Sequence, residues 1–203
     1  VIVIVNANNA MELGWVDEHP EIGAVIWAPG PGATGFSALG EIISGQVNPS
    51  GRTVDTFVKD LFDTPTSNNF GNFAYNNVDD LKNQIAAADP AYQGNMAFVN
   101  YVEGIYVGYK FYETAFAETQ AGNMDYDYDG HVMYPFGYGL SYTTFEWSGF
   151  KVEEKDGVYT VSLTVKNTGS AAGKDVAEFY VQSPYIAGGV EKPAVALAQY
   201  AKT

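Results

Sequence analysis

The sequence VIVIV at residues 1–5, together with GAVIWA at residues 23–28, is the strongest indication of the fold class. Each is a short apolar run bounded by polar or turn-forming residues, which is typical of a strand buried on both faces of a sheet. Residues 11–18 predict a short helix, and residues 36–44 predict a longer one, with apolar side chains at helical spacing and Gly45 just after its end. Strand, helix, strand and helix joined by short links predict an α/β layer with a mostly parallel sheet.

The pattern changes near residue 146. Residues 150–153, 159–165 and 176–181 alternate apolar and polar side chains, and Asp156-Gly157 separates the first two runs. Alternation with turn residues between the runs predicts antiparallel strands with one buried face. The sequence therefore predicts two domains, an α/β domain in residues 1–146 and a β domain in residues 147–203.

Residues 60–93 form a long excursion that is rich in Asn and Asp and only weakly periodic. A short helix is predicted near residues 78–87. Long loops in compact domains usually have a function, so this excursion is a candidate lid.

The composition limits the classes of partner. The chain has 203 residues, of which 46% are hydrophobic, and a formal net charge of −14. Nucleic acid and anionic membranes both need a cationic face, so we expect neither as a partner. The chain has no cysteine and only two histidines, His19 and His131, which excludes thiolate chemistry and leaves little for a metal site. We therefore expect no metal and no cofactor.

Two local patterns imitate known binding loops. Residues 125–130, DYDYDG, match the first half of a calcium-binding EF-hand loop, but position twelve is Phe136 instead of Glu. An acidic surface loop is the preferred interpretation. Gly30, Gly32 and Gly35 precede a helix, as in a phosphate-binding turn, yet the dinucleotide spacing is absent, so close packing of helix on strand is preferred.

Four motifs resemble family 3 glycoside hydrolases of the β-glucosidase type. In chain order they are APGPG at 28–32, SGQVNPSGRT at 44–53, YVEGIYVGYK at 101–110 and YPFGYGLSYTTF at 134–145. Each alone is weak, whereas four in the family's order are specific. The resemblance implies an α/β-sandwich domain followed by a fibronectin type III-like β-sandwich. Such a sandwich needs about seven strands, so we expect the second domain to be truncated and the chain to be a fragment that begins within the first domain.

The resemblance also implies that the catalytic residues lie elsewhere. A retaining glycosidase needs two carboxylates about 5 Å apart, one as nucleophile and one as acid/base. In this family the nucleophile is an Asp on a separate (β/α)8 barrel, within a Ser-Asp-Trp-like motif that this sequence lacks, and the acid/base Glu precedes the segment matching residues 1–5. No catalytic residue is therefore assigned here, and the missing barrel is an expected partner.

Three residues are candidates for contact with substrate. Asn6 and Asn8 follow the first strand, at the sheet edge where open α/β sheets place ligands. Glu103 lies among aromatic residues that could form a platform for a sugar, although a structural Glu that pairs with the backbone is the preferred interpretation. The aromatics of residues 134–145 could likewise stack on sugar, but packing at a domain junction is preferred.

The first hypothesis is that the chain is part of an enzyme that hydrolyses terminal β-D-glucosyl residues of a β-glucoside or oligosaccharide, and that the chain alone is inactive. The alternative is a stand-alone carbohydrate-binding or structural module. The sugar and the compartment, cytoplasmic or secreted, both stay open.

Overall fold

The computed structural model of the chain describes residues 1–69, 73–91 and 96–203. In chain order the strands and helices are β1 Ile2–Val5, β2 Ala24–Trp27, α1 Phe36–Ile43, β3 Phe57–Val58, α2 Val78–Ala88, α3 Tyr109–Gln120, α4 Tyr128–His131, β4 Val132–Tyr134, β5 Phe145–Lys155, β6 Val158–Asn167, β7 Val176–Val181 and β8 Ala196–Lys202. Short 3-10 helices span Gly14–Glu18, Leu61–Asp63 and Ser67–Asn69. Within these residues the strands form four two-stranded sheets.

The two apolar runs of the sequence pair in parallel, with Ile2 opposite Ala24 and Val5 opposite Trp27. The expectation that β1 is buried on both faces is wrong for this chain, because Val5 is buried while Ile2 is 45% exposed. The sheet has only two strands in the described part of the chain, and α1 buries none of its residues. Only one end of β1 is therefore covered. A larger, mostly parallel sheet stays a prediction.

Helix α1 ends as the sequence predicts. Gly45 adopts a φ of +77°, in the left-handed region that glycine tolerates best. Its N–H donates to the carbonyl of Ile42 at 2.9 Å, and the N–H of Gln46 donates to that of Glu41 at 2.9 Å. These two bonds form a Schellman motif, which satisfies carbonyls that the helix end would otherwise leave unpaired. The predicted helix over residues 11–18 is instead a 3-10 helix, Gly14–Glu18.

The core of the first half is built around a short antiparallel sheet. Phe57 in β3 pairs with Tyr134 in β4, and Phe57 is 1% exposed. It packs with Val5 and Leu13, and its ring makes an edge contact with Trp27 at 5.3 Å between centroids. On the other side of β3 a second cluster is buried, comprising Val58, Tyr112 and Val132. Strand β3 thereby joins the parallel sheet to α3.

No helix is predicted from the sequence where α3 lies. It begins after Gly108, whose φ of +58° turns the chain into the helix. Tyr112 and Ala115, three residues apart, form its buried face.

The predicted helix in the long excursion is confirmed as α2, Val78–Ala88. Ala74 and Ala97 form an antiparallel bridge near its base, where Phe98 packs against Phe73 and Tyr75. Residues 70–72 and 92–95 of the excursion lie outside the described residues, and its role as a lid stays a prediction.

The second half contains two antiparallel hairpins. Strands β5 and β6 are joined by Asp156 and Gly157, whose φ values of 55° and 78° fit a type I′ turn. Strands β7 and β8 pair from Val176 opposite Lys202 to Val181 opposite Ala196. The first three of these strands are predicted from the sequence, whereas β8 is not.

Candidate functional site

A groove of about 580 Å³ lies beside Glu103. Its walls are the 3-10 helices Leu61–Asp63 and Ser67–Asn69, the segment 102–106 and helix α3. Buried Tyr112 and Ala115 fix α3 against the core, so this wall is anchored by packing.

Glu103 is half-buried in this groove and paired with a neutral side chain. Its Oε2 accepts a hydrogen bond from Asn69 Nδ2 at 2.8 Å, and its backbone carbonyl accepts one from the N–H of Tyr106 at 2.9 Å. These contacts agree with a structural Glu, except that its carboxylate bonds a side chain rather than the backbone. The remaining acceptor sites of the carboxylate allow it to bind a ligand as well.

Asn6 and Asn8 are both exposed and lie after the carboxyl end of β1. Asn8 contacts the glycine-rich loop that follows β2, because its Oδ1 is 3.1 Å from the place where a Cβ on Gly30 would stand. Nearby, Trp27 Nε1 donates to the carbonyl of Ala7 at 2.7 Å. The groove that Glu103 lines includes neither asparagine, so the three candidates occupy two separate places.

The second half of the chain holds one wall of the groove through contacts that the sequence analysis missed. Tyr106 OH donates to Glu191 Oε2 at 2.6 Å, and Thr114 Oγ1 accepts from the N–H of Ala194 at 2.9 Å. The hydrogen bond to Glu191, with a smaller effect of burial, raises the pKa of Tyr106 to about 12. These partners are about eighty residues apart in sequence, and no local pattern indicates them.

The acidic segment 125–130 is partly helical. The side chain of Asp127 accepts from the N–H of Gly130 at 3.0 Å and caps α4. His131 Nδ1 lies 2.8 Å from Asp63 Oδ2, and its ring stacks on Tyr126. Among the residues described, no three His, Cys, Asp or Glu side chains are grouped so that they could hold a metal ion.

The second and fourth sequence motifs contact each other. Thr53 Oγ1 donates to the carbonyl of Pro135 at 2.6 Å and accepts from the N–H of Tyr138 at 2.9 Å. Asn48 Oδ1 accepts from Ser141 Oγ at 3.1 Å and from the N–H of Tyr142 at 2.8 Å. These bonds hold residues 135–142 against the second motif, within the first half of the chain, and the packing of residues 134–145 at a domain junction stays a prediction.

None of the helices in residues 1–69, 73–91 and 96–203 is long and apolar enough to cross a membrane.

Known proteins resemble this chain over most or all of its length. The chain is 33% identical to beta-glucosidase A of Butyrivibrio fibrisolvens, in an alignment covering 100% of this chain and 22% of that protein. It is also 33% identical to a beta-glucosidase of Ruminococcus albus, over 91% of this chain and 16% of that protein. The chain thus spans about a fifth of the length of these relatives.

Solved structures give the same result. Beta-glucosidase 3B from Thermotoga neapolitana in complex with α-D-glucose matches with a TM-score of 0.71 and 30% identity, covering 100% of this chain and 23% of that one. A beta-glucosidase from Paenibacillus barengoltzii matches with a TM-score of 0.73 and 33% identity, over 100% of this chain and 19% of that one. The family model described as the glycosyl hydrolase family 3 C-terminal domain matches residues 1–109. The chain therefore belongs to glycosyl hydrolase family 3, and its residues 1–109 match the C-terminal domain of that family.

Proposed function

We propose that this chain is the non-barrel portion of a retaining β-glucosidase, which hydrolyses terminal non-reducing β-D-glucosyl residues. The observation that carries the proposal is the similarity, over the whole chain, to beta-glucosidases about five times its length. In the proposed enzyme the Asp nucleophile and the acid/base Glu both lie outside these 203 residues. The nucleophile comes from a (β/α)8 barrel of the same protein.

The mechanism needs two carboxylates and water, without a cofactor. One carboxylate attacks the anomeric carbon while the other protonates the departing oxygen, and water then hydrolyses the glycosyl-enzyme intermediate. This chain contributes a wall of the active site. The exposed Asn6 and Asn8 support that role, since they lie beside the loop at the carboxyl edge of the parallel strands.

The β hairpins fit the same proposal. We assign residues 147–203 to part of a fibronectin type III-like sandwich that begins after the fourth motif. The support is the pair of antiparallel hairpins, β5–β6 and β7–β8.

The test compares the purified 203-residue chain with the full-length gene product on an aryl β-glucoside. Activity in the full-length product alone, with the β-anomer of glucose as first product, supports the proposal. Activity in the 203-residue chain would show that the catalytic carboxylates lie within it. If neither protein hydrolyses the glycoside, the alternative of a carbohydrate-binding or structural module replaces the enzyme.

A further inference from the structure

The groove beside Glu103 has the size and construction of a small-molecule site. Its volume of about 580 Å³ lies within the range of roughly 300 to 1,000 Å³ that is usual for ligand pockets. The walls come from three separate parts of the chain, residues 61–67, 102–106 and 111–124, which the fold brings together.

The rim of the groove carries apolar groups that stay exposed among the residues that the structure describes. Phe62 is 79% exposed and Val102 is 61% exposed, and both line the groove. Phe111 and Met124 continue the apolar lining. An aromatic ring open at the edge of a concave site offers a flat apolar face on which the C–H face of a sugar ring can pack.

Three carboxylates line the same groove, each held by one side-chain nitrogen. Glu103 accepts from Asn69 at 2.8 Å, Glu118 accepts from Asn123 at 2.7 Å, and Asp63 lies 2.8 Å from His131 Nδ1. An ionised carboxylate offers about four acceptor positions, so each can accept further hydrogen bonds. The existing bonds fix the orientation of the carboxylates, which lowers the entropy lost when a ligand binds.

The charge of the lining selects the ligand class. None of the described residues that line the groove is Lys or Arg, so an anionic ligand would meet three carboxylates with no Lys or Arg in the lining to neutralise them. The carboxylates are also not grouped as metal ligands within the described residues. A neutral molecule with many hydroxyl donors and one apolar face satisfies both the carboxylates and Phe62.

We infer that this groove binds a neutral saccharide, with Phe62 stacked on a sugar ring and the carboxylates of Glu103 and Glu118 accepting hydrogen bonds from its hydroxyls. The choice of a saccharide over other polyols rests on the proposed function. Tyr106 lines the same groove, and its bond to Glu191 ties this wall to the second half of the chain.

The test is a titration of the ¹⁵N-labelled 203-residue chain with cellobiose, followed by the amide resonances. We expect saturable shifts at residues 61–67, 102–106 and 111–124, at concentrations up to roughly 50 mM, well above a millimolar Kd. Glucuronate at the same concentrations should give no saturable shift at these residues.

Two groove variants and two matched controls make the test specific. Phe62→Ala removes the exposed ring, and Glu103→Gln removes the charge but keeps an oxygen for Asn69. Each should weaken cellobiose binding at least about fivefold, the scale expected for one lost stacking or charged hydrogen-bond contact. Phe150→Ala and Glu146→Gln change exposed residues of β5, outside the groove lining, and should leave the affinity unchanged.

Three results would overturn the inference. They are the absence of saturable shifts in the groove, binding that both groove variants retain while their unfolding temperatures match the parent, and tighter binding of an alkylammonium ion than of cellobiose. Hydrolysis by the full-length product separates this inference from the proposed function. If the full-length product is active but the groove binds no sugar, only the inference about the groove is refuted. If the full-length product is inactive, the proposed β-glucosidase function is refuted, whatever the groove binds.

Discussion

Arg52 and Asp175 are 123 residues apart in sequence and form an ion pair, with Arg52 Nη2 2.5 Å from Asp175 Oδ1. Trp147 Nε1 donates to the other carboxylate oxygen at 2.8 Å. The side chains of Arg52 and Asp175 are only 15% and 9% exposed. One carboxylate thus joins the second sequence motif to the β hairpins, in a place where water cannot readily replace its partners.

Removal of one member of this pair should be strongly destabilising. Arg52→Ala leaves Asp175 buried without its counterion, so we expect the free energy of unfolding to fall by about 3 to 5 kcal/mol. Urea unfolding followed by circular dichroism measures the change. Lys151→Ala is the control, because Lys151 and its partner Glu153 are both more than 60% exposed and pairs of that kind contribute little. Equal losses in the two variants would contradict the importance of burial here.

Acid should weaken the same junction. Burial raises the pKa of the Asp175 carboxyl, but hydrogen bonds from Trp147, the N–H of Val176 and Arg52 outweigh it, so the pKa lies below its ordinary value of 3.8. A lower pKa in the folded state stabilises the fold above the unfolded pKa, and this stability is lost as pH falls through the folded pKa. Unfolding free energies measured from about pH 6 to about pH 2 should fall less steeply in Asp175→Asn than in the parent. Identical slopes of unfolding free energy against pH in the parent and in Asp175→Asn would show that protonation of Asp175 does not weaken the junction.

Two glycines should respond to alanine in opposite directions. A Cβ on Gly139 would stand 2.4 Å from the carbonyl oxygen of Gly51 and 2.6 Å from Arg52 Nη1. We expect Gly139→Ala to cost about 1 to 3 kcal/mol through overpacking. Gly40 lies exposed within α1 with no atom near its added Cβ, so Gly40→Ala should stabilise the chain by up to about 1 kcal/mol. Thermal unfolding of both variants distinguishes the two effects. A Gly139→Ala variant more stable than the parent would contradict the close approach of Gly139 to the carbonyl of Gly51.

Both the hydrogen-bond donor and the acceptor of the Asn48 side chain should contribute to the stability of the fold. Its Nδ2 donates to the carbonyl of Ala172 at 3.0 Å, while its Oδ1 accepts from Ser141 and Tyr142. Asn48→Ala should lower the free energy of unfolding by about 1 to 3 kcal/mol, because it leaves these groups without their partner. Asn48→Asp keeps the acceptor but places a negative charge against the Ala172 carbonyl, so the isosteric change should also destabilise.

The control for Asn48 is Asn77→Ala. Asn77 is exposed and its side chain makes no capping bond to α2, so the stability should change by less than about 0.5 kcal/mol. Urea unfolding measures all three variants. An Asn48→Asp variant as stable as the parent would show that the bond to Ala172 contributes nothing.

Several elements of the fold were predicted correctly from strong local signals. The two apolar runs form β1 and β2, and the periodic run that ends at Gly45 forms α1. Asp156-Gly157 forms a hairpin turn. Each depends on the chemistry of neighbouring residues, such as the freedom of glycine to take positive φ. Helix α3 was missed, although Tyr109, Tyr112 and Phe116 in its sequence, YKFYETAFAETQ, recur at helical spacing. Strand β8, ALAQYAK, is rich in alanine and has little strand propensity of its own.

The candidate site was less predictable than the fold. Glu103 could be singled out because it lies in a recognisable motif, yet its partner Asn69 is 34 residues away. Nothing in the sequence marks Phe62 or Glu118 as a candidate site residue, because a Phe in a loop and a Glu on a helix are common in proteins. Asn6 and Asn8 lie after the carboxyl end of β1, apart from the groove of Glu103, and their contact with substrate stays a prediction.

From the sequence alone, the family, the α/β character of the first half and the antiparallel strands of the second could be predicted. This was possible because motifs, periodicity and turn chemistry are properties of neighbouring residues. The three-dimensional packing was needed to show that Arg52 contacts Asp175, that Tyr106 contacts Glu191 and that Phe62, Glu103 and Glu118 line one groove. Contacts of this kind join residues far apart in the chain, and which of them form depends on how the packed elements meet in three dimensions.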